Sequence, residues 1–209
     1  MAVADVHGKS EKLRLIKEQI RSHKPDGLII AGDVINYFKG AGFIKELSQL
    51  PLPIYAIRGN SDPSSVEREM AKYAAITNLH LNEIKIRDVP FIGINGTVPL
   101  PFHSKIRFFE SSLLNRLKDK LTSDSVLVAH PPPKGSVDKV FGKYHAGSKG
   151  LAKLIEEVQP RLVICGHIHE DVGTATMEKT VIINCSVGAR GRGVLIELSD
   201  TGRASIKIL

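Results

Sequence analysis

The sequence is poor in cysteine, holds no apolar run approaching the roughly 18 residues that cross a membrane as a helix, and shows no charged-then-apolar leader before a small-residue cleavage site. Those absences argue against a membrane-spanning or secreted chain, so a cytoplasmic protein without a membrane partner is expected. The two cysteines, Cys165 and Cys185, lack the close paired spacing of a zinc knuckle and the number that a disulfide framework needs. Each closes an apolar run and reads as a small buried strand residue, with a bridge left open should their strands be neighbours. Repeats, a disordered tail and linkers are also missing, so residues 1–209 read as a single domain, long enough for one well-buried core.

Positive charge is in excess. With Lys and Arg at 29 against 22 Asp and Glu, the net charge is +7 and the pI near 9.4, which favours anionic partners: nucleotides, nucleic acid or phosphorylated metabolites. Lys134, Lys139, Lys143 and Lys149, with Arg190 and Arg192, could border such a ligand, or form a solvated face. Charge alone does not choose among these.

The apolar pattern is that of an α/β protein. Met1 to Ala4, Leu28 to Ala31, Pro53 to Ile57, Val126 to Ala129 and Arg161 to Cys165 are short apolar stretches without polar alternation, as in strands covered on both faces. Leu13, Ile16 and Ile20 recur at helical spacing, as do Ile106, Phe109, Leu113, Leu117 and Leu121, and Leu151, Leu154, Ile155 and Val158. Ser148 is placed to cap the last of these helices, and Ser64 with Glu67 spells a capping box. Short strands are expected at Leu79 to Leu81, Ile84 to Arg87 and Phe91 to Ile94, then a loop from Gly96 to Lys105 that contains His103. Lys134 to Tyr144 reads as an irregular basic loop. Val181 to Asn184, Gly193 to Leu198 and Ala204 to Ile208 read as closing strands, with Asp200 to Gly202 as a hairpin turn.

What the strands end in matters most. Asp5 and His7, Asp33, Asn60, His130, and His167 with His169 follow five of these runs, and α/β proteins place ligand sites at the carboxyl ends of strands. His167 and His169 lie two apart, so on an extended segment both would face one site. Side chains of this kind rarely sit at buried strand ends without partners, because unpaired burial costs up to several kcal/mol. Mixed oxygen and imidazole donors without thiolate suit Mn²⁺, Fe²⁺ or Zn²⁺ better than Ca²⁺. Seven donors exceed the need of one tetrahedral ion and suffice for two that share a carboxylate. Such a pair lowers the pKa of a bound water and holds a phosphate, which fits phosphoester hydrolysis.

The ordered set resembles the calcineurin-like metallophosphoesterase superfamily over nearly the whole length: D-x-H at Asp5 and His7, G-D at Gly32-Asp33, G-N-x-D at Gly59 to Asp62, a lone His130, and G-H-x-H at Gly166 to His169. The resemblance implies a four-layer αββα sandwich of two mixed sheets flanked by helices, close to a small single-domain prokaryotic phosphodiesterase-like branch. It implies Asp5, His7 and His169 on one metal ion and Asn60, His130 and His167 on the other, with Asp33 bridging. Asp33, Asn60 and Asp62 would belong to the catalytic centre. Manganese is the expected metal, with iron, zinc, nickel or magnesium as alternatives.

Two departures from the family stand out. Many members carry histidine after the G-N pair to protonate the leaving oxygen, whereas this chain has Ser61, a poor acid near neutral pH. His145, in a His-Ala-Gly-Ser stretch that resembles small bacterial and archaeal phosphoesterases, is the candidate substitute, with His103 behind it. Only four residues precede Asp5, where members usually have a longer first strand, which leaves a clipped strand or a start upstream. The expected activity is a metal-dependent phosphodiesterase on a small or nucleotide-like phosphoester. A nuclease or phosphomonoesterase on the same site is the alternative, although no extra domain is left to grip a duplex. A protein-binding module that has lost turnover is the rival of another class, and no ligand is missing to support it.

Overall fold

The computed structural model describes residues 1–36, 40–96, 112–198 and 204–209. Strands β1 (Ala2–Val3), β2 (Leu28–Ala31), β3 (Ile54–Ile57) and β4 (Ile76–Asn78) run parallel in one sheet. The antiparallel β13 (Val194–Leu198) and β14 (Ala204–Ile208) extend it to the order β14-β13-β1-β2-β3-β4. The second sheet has the order β11-β12-β10-β7-β6-β5. In it β6 (Val89–Ile94), β7 (Val126–Ala129), β10 (Leu162–Cys165) and β12 (Thr180–Asn184) are parallel, and β5 (Ile84–Ile86) and β11 (Gly173–Met177) flank them antiparallel. A two-stranded ribbon, β8 (Lys139–Val140) and β9 (Tyr144–His145), stands apart from both.

Three apolar clusters make this a four-layer αββα sandwich. In β2, Ile29 and Ala31 face the other sheet, where Val126, Val128, Leu162, Ile164 and Ile183 meet them. Leu28 and Ile30 face the opposite way, toward Leu13, Ile16 and Ile20 of α1 (Ser10–His23) and Phe43, Ile44 and Leu47 of α2 (Ala41–Leu47). Val66 and Met70 of α3 (Ser65–Met70) join the same cluster. Beyond the second sheet, Leu127 and Val163 pack on Leu117 of α4 (112–118) and on Leu151, Leu154 and Ile155 of α5 (Lys149–Val158). Layers on both faces explain why these strands are apolar at every position. No helix among the described residues is long and apolar enough to cross a membrane.

Several local expectations change. Ser148 does cap α5, accepting from Leu151 N–H at 3.0 Å. Ser64 forms no capping box, because Glu67 is drawn away to Arg58 Nε at 3.3 Å and to the Asn95 amide. The strand expected at Leu79 to Leu81 is replaced by β4 one turn earlier and a lone bridge between His80 and Gly93. The loop from Lys134 to Tyr144 contains the ribbon. Cys165 and Cys185 are free thiols despite neighbouring positions, since Cys165 points into the outer core and Cys185 between the sheets. Ile106, Phe109, the 97–105 part of the Gly96 loop with His103, and the turn at Asp200 to Gly202 lie outside the described residues.

Candidate metal centre

All the parallel strands of both sheets end at one rim, and there the chain carries its polar residues. β1 delivers Asp5 and His7, β2 Asp33, β3 Asn60, β7 His130, and β10 His167 and His169. Asp5, His7, Asp33 and His167 adopt left-handed backbone, with φ of 62°, 54°, 51° and 69°. Such residues cost of order 1–3 kcal/mol each and persist only where their surroundings fix them. Here the loops after β1 and β2 are laced together by His7 N–H to Asp33 O at 2.9 Å and Gly8 N–H to Val34 O at 2.9 Å.

The side chains form two adjoining groups. Ligand atoms of Asp5, His7 and His169 lie within 4.8 Å of one another, and so do those of Asp5, Asp33 and His130. Asp33 sits between the histidines of both groups, with Oδ2 at 3.9 Å from His7 Nδ1 and Oδ1 at 3.5 Å from His130 Nε2. Ser61 holds that carboxylate, its N–H donating to Oδ1 at 2.8 Å and its hydroxyl to Oδ2 at 2.9 Å. The rings of His7 and His169 meet edge-on at 5.6 Å, and those of His130 and His167 at 5.2 Å.

Three features fit a cation. Asp5 is fully buried, and while Oδ2 accepts from His167 N–H at 2.9 Å, Oδ1 has no hydrogen-bond partner; His169 Nε2, 3.3 Å away, is not aligned to donate. His130 Nδ1–H donates to Ala31 O at 2.8 Å, which leaves Nε2 facing Asn60 Oδ1 at 2.8 Å, a spacing that suits two ligands of one ion. The donor chemistry, imidazole and carboxylate with one amide and no thiolate, suits borderline divalent metals.

Electrostatics point the same way. Burial alone would lower the His130 imidazole, yet the carboxylates of Asp33 and Asp5 and the Ala31 carbonyl lift it to about 9. Burial alone would raise Asp33 and Asp5, but for Asp33 the His130 imidazole and both Ser61 groups, and for Asp5 the imidazoles of His169 and His130 with the Ser186 hydroxyl, hold them below the usual carboxylate range. His169 is raised by Asp5, whereas burial and the charge on His130 push His167 down to about 4. Without an ion the centre stores a proton on His130, and a cation would displace it.

Some sequence expectations need correcting. His167 and His169 do not project from an extended segment toward one point: the left-handed turn at His167 sends its ring to His130 and that of His169 to His7 and Asp5. Asp62 does not face the donors. Its buried carboxylate accepts from Val34 N–H at 3.0 Å and Gly59 N–H at 2.8 Å through Oδ2, and from Ile35 N–H at 2.8 Å through Oδ1. Asp62 therefore braces the loops that carry Asp33 and Asn60, and burial raises its pKa. Gly59 and Gly166 owe their place to crowding, since a β-carbon would fall on Asp33 at the first and on Ala4 and Asp5 at the second.

His145 lies on the ribbon, in contact with buried Asp138 rather than with the seven donors. Sequence reasoning missed Asp138, and it missed Asn184, whose amide reaches the carbonyls of Ile168 at 2.7 Å, Asp171 at 3.0 Å and Val137 at 3.3 Å. Asn184 bore the same signal as the others, a polar residue closing an apolar strand.

Comparison with known proteins bears on the family and the fold. A family model for calcineurin-like phosphoesterases matches residues 1–171. Uncharacterized protein MJ1162 of Methanocaldococcus jannaschii is 28% identical over 197 residues, covering 89% of this chain and 87% of that protein. The crystal structure of a dimetal phosphatase from Danio rerio superposes with a TM-score of 0.63 at 13% identity, over 88% of this chain and 85% of that one. A structure described as a novel archaeal phosphodiesterase superposes at 0.54 and 14% identity, over 100% and 98%. At such identities the two solved structures attest the fold alone.

Proposed function

Because the chain belongs to the calcineurin-like phosphoesterase family, and so is a hydrolase of phosphoesters that works with divalent metal ions, we propose that it is a cytoplasmic phosphodiesterase acting on a small or nucleotide-like ester at a dinuclear centre. The observation that supports this reading is that two donor groups with Asp5 in common adjoin, Asp5-His7-His169 and Asp5-Asp33-His130, with the Asp33 carboxylate between His7 and His130. Asp5, His7 and His169 would hold one ion, Asn60, His130 and His167 the other, with Asp33 shared. Manganese is the proposed metal, with iron, zinc, nickel or magnesium as alternatives. Bound there, divalent ions supply Lewis acidity, which acidifies a water and neutralises charge on the phosphoryl oxygens.

The chain's own groups do the positioning. Ser61 orients Asp33, Ala31 O fixes the His130 tautomer, and His167 N–H fixes Asp5. The Ser61 hydroxyl is committed to Asp33 Oδ2, so it is not the group that protonates the leaving oxygen. His145 takes that role in this reading. Its ribbon lies in the segment that follows His130 and is tied to the loop after His169 by Lys139 N–H to Asp171 at 2.8 Å and Phe141 N–H to Glu170 at 2.6 Å. The two free buried thiols suit a reducing compartment.

Both a phosphodiesterase and a phosphatase share this fold; Ser61 in place of histidine inclines the reading to diesters. The test is to strip the protein, reload Mn²⁺, Ni²⁺, Mg²⁺ or Zn²⁺ separately, and compare bis-nitrophenyl with mono-nitrophenyl phosphate and 2′,3′-cyclic nucleotides. Preference for diesters is expected, and turnover of monoesters alone would overturn it. The net charge of +7 favours a nuclease as second reading, for which binding to single or double strands should weaken steeply with salt.

A further inference from the structure

The ribbon holds a buried carboxylate with one side-chain partner. Asp138 is fully buried; its Oδ2 accepts from Gly135 N–H at 3.1 Å and Gly147 N–H at 2.9 Å, and its Oδ1 stands 2.5 Å from His145 Nδ1. Turn amides could be met by an uncharged oxygen, whereas a carboxylate taken out of water costs several kcal/mol unless it is well paired. The His145 side chain is 40% exposed while the carboxylate it pairs with is buried. An ionised carboxylate only accepts, hence the hydrogen of this bond sits on Nδ1 and Nε2 is the ring nitrogen not engaged by Asp138.

The ribbon itself is pinned to the rim. Lys134 N–H donates to Ser148 O at 2.9 Å and Ser148 N–H to Pro132 O at 2.9 Å, closing its base beside His130. The Asn184 amide joins Val137 O to Ile168 O, between the two histidines' loop and the ribbon. We propose that Asp138 is a positioning residue for catalysis: an aspartate–histidine pair locks the His145 ring so that Nε2–H is presented to the leaving oxygen. This rests on the reading of His145 as the acid. In the step, the bond from the attacking water oxygen to phosphorus forms as the bond from phosphorus to the leaving oxygen breaks. The electron pair of the broken bond stays on the leaving oxygen, which takes the proton from Nε2 of the imidazolium. His145 regains a proton from solvent, the water's proton goes to solvent, and one water is consumed overall.

The experiment uses the full chain loaded with Mn²⁺, a nitrophenyl diester as good leaving group and a 2′,3′-cyclic nucleotide as poor one. Asp138→Asn keeps an oxygen for Gly135 and Gly147 and turns an NH₂ toward Nδ1, which forces the other tautomer. It should lower kcat on the cyclic nucleotide by about tenfold or more, with KM unchanged and a clearly smaller loss on the nitrophenyl ester. Nitrogen-15 shifts of His145 should report the tautomer change, while metal content stays at the wild-type level. His145→Ala should show the same leaving-group dependence with a larger loss. If His145→Ala shows it and Asp138→Asn does not, the pair is overturned and the acid stands. If His145→Ala slows both substrates equally or neither, the acid role falls and the inference with it. An equal loss on both substrates in Asp138→Asn, with the wild-type tautomer, would reduce Asp138 to a structural brace.

Discussion

The two sheets contribute to the rim in different currencies of chemistry. The first sheet offers mainly oxygen, from Asp5, Asp33 and Asn60, with His7 as its single imidazole; the second offers imidazoles only, His130, His167 and His169. The second sheet also reaches across to the first, His130 Nδ1–H to Ala31 O and His167 N–H to Asp5 Oδ2. Neither sheet alone holds a complete donor set, so the packing between them is a condition for the site. The contribution is uneven in depth too: the His130 side chain is 0% exposed, that of His169 38%.

The comparison breaks most visibly at the carboxylate proposed to be shared, Asp33. Asp33→Asn should lower turnover by about 100-fold or more and lower metal content with it, because in the proposed centre its carboxylate would serve both ions; elemental analysis and kinetics that match the wild type would defeat the bridging assignment. Depth is tested next. His130→Ala leaves Asp33 and Ala31 O without their buried partner and should cost about 3–5 kcal/mol in the metal-free protein, while His169→Ala, half-exposed, should cost about 1 kcal/mol. Denaturant melts with equal losses would erase the distinction. Asp62→Ala strips three amides of their acceptor and should cost about 2–4 kcal/mol, with metal content reduced less than in Asp33→Asn; an unchanged melt would deny the brace.

The last test is pH. His130 is raised to about 9 in the metal-free protein, so its pairing with Asp33 stabilises fully below the unfolded imidazole value of about 6.5 and is lost as pH rises through about 9. Ion uptake runs the other way, since the proton must leave: affinity for Mn²⁺ should tighten by up to about tenfold per pH unit over that window. Titration calorimetry that finds no proton release would remove His130 from the ligand set.

The sequence made the rim legible because every loop that carries a candidate donor follows a run of apolar residues at consecutive positions, such as Leu28 to Ala31 before Asp33. β11 escaped notice because Gly173-Thr-Ala-Thr-Met177 lies at a sheet edge and carries little apolar signal, and the ribbon because Lys139 and Tyr144 stay exposed. The capping box failed for a tertiary reason: Arg58 and Asn95 compete for Glu67. The divergence of His167 and His169 depended on one backbone angle that residue identity does not dictate. Asp62 illustrates the remaining limit, since motif membership marked it as important and only its three amide partners revealed in what way.

That clasp has a consequence for how the chain tolerates changes of length. Asp62 closes on Gly59 three positions back and on Val34 and Ile35 from another loop, so adding or deleting a single residue between Gly59 and Asp62 would pull the carboxylate off all of them. The tip of the ribbon at Gly142 has open space around it, although its neighbours are held by Phe141 N–H to Glu170 and Lys143 N–H to Val140 O. A β-carbon would meet no neighbour there, whereas spacing in the Gly59 turn should prove as restrictive as the identity of its residues.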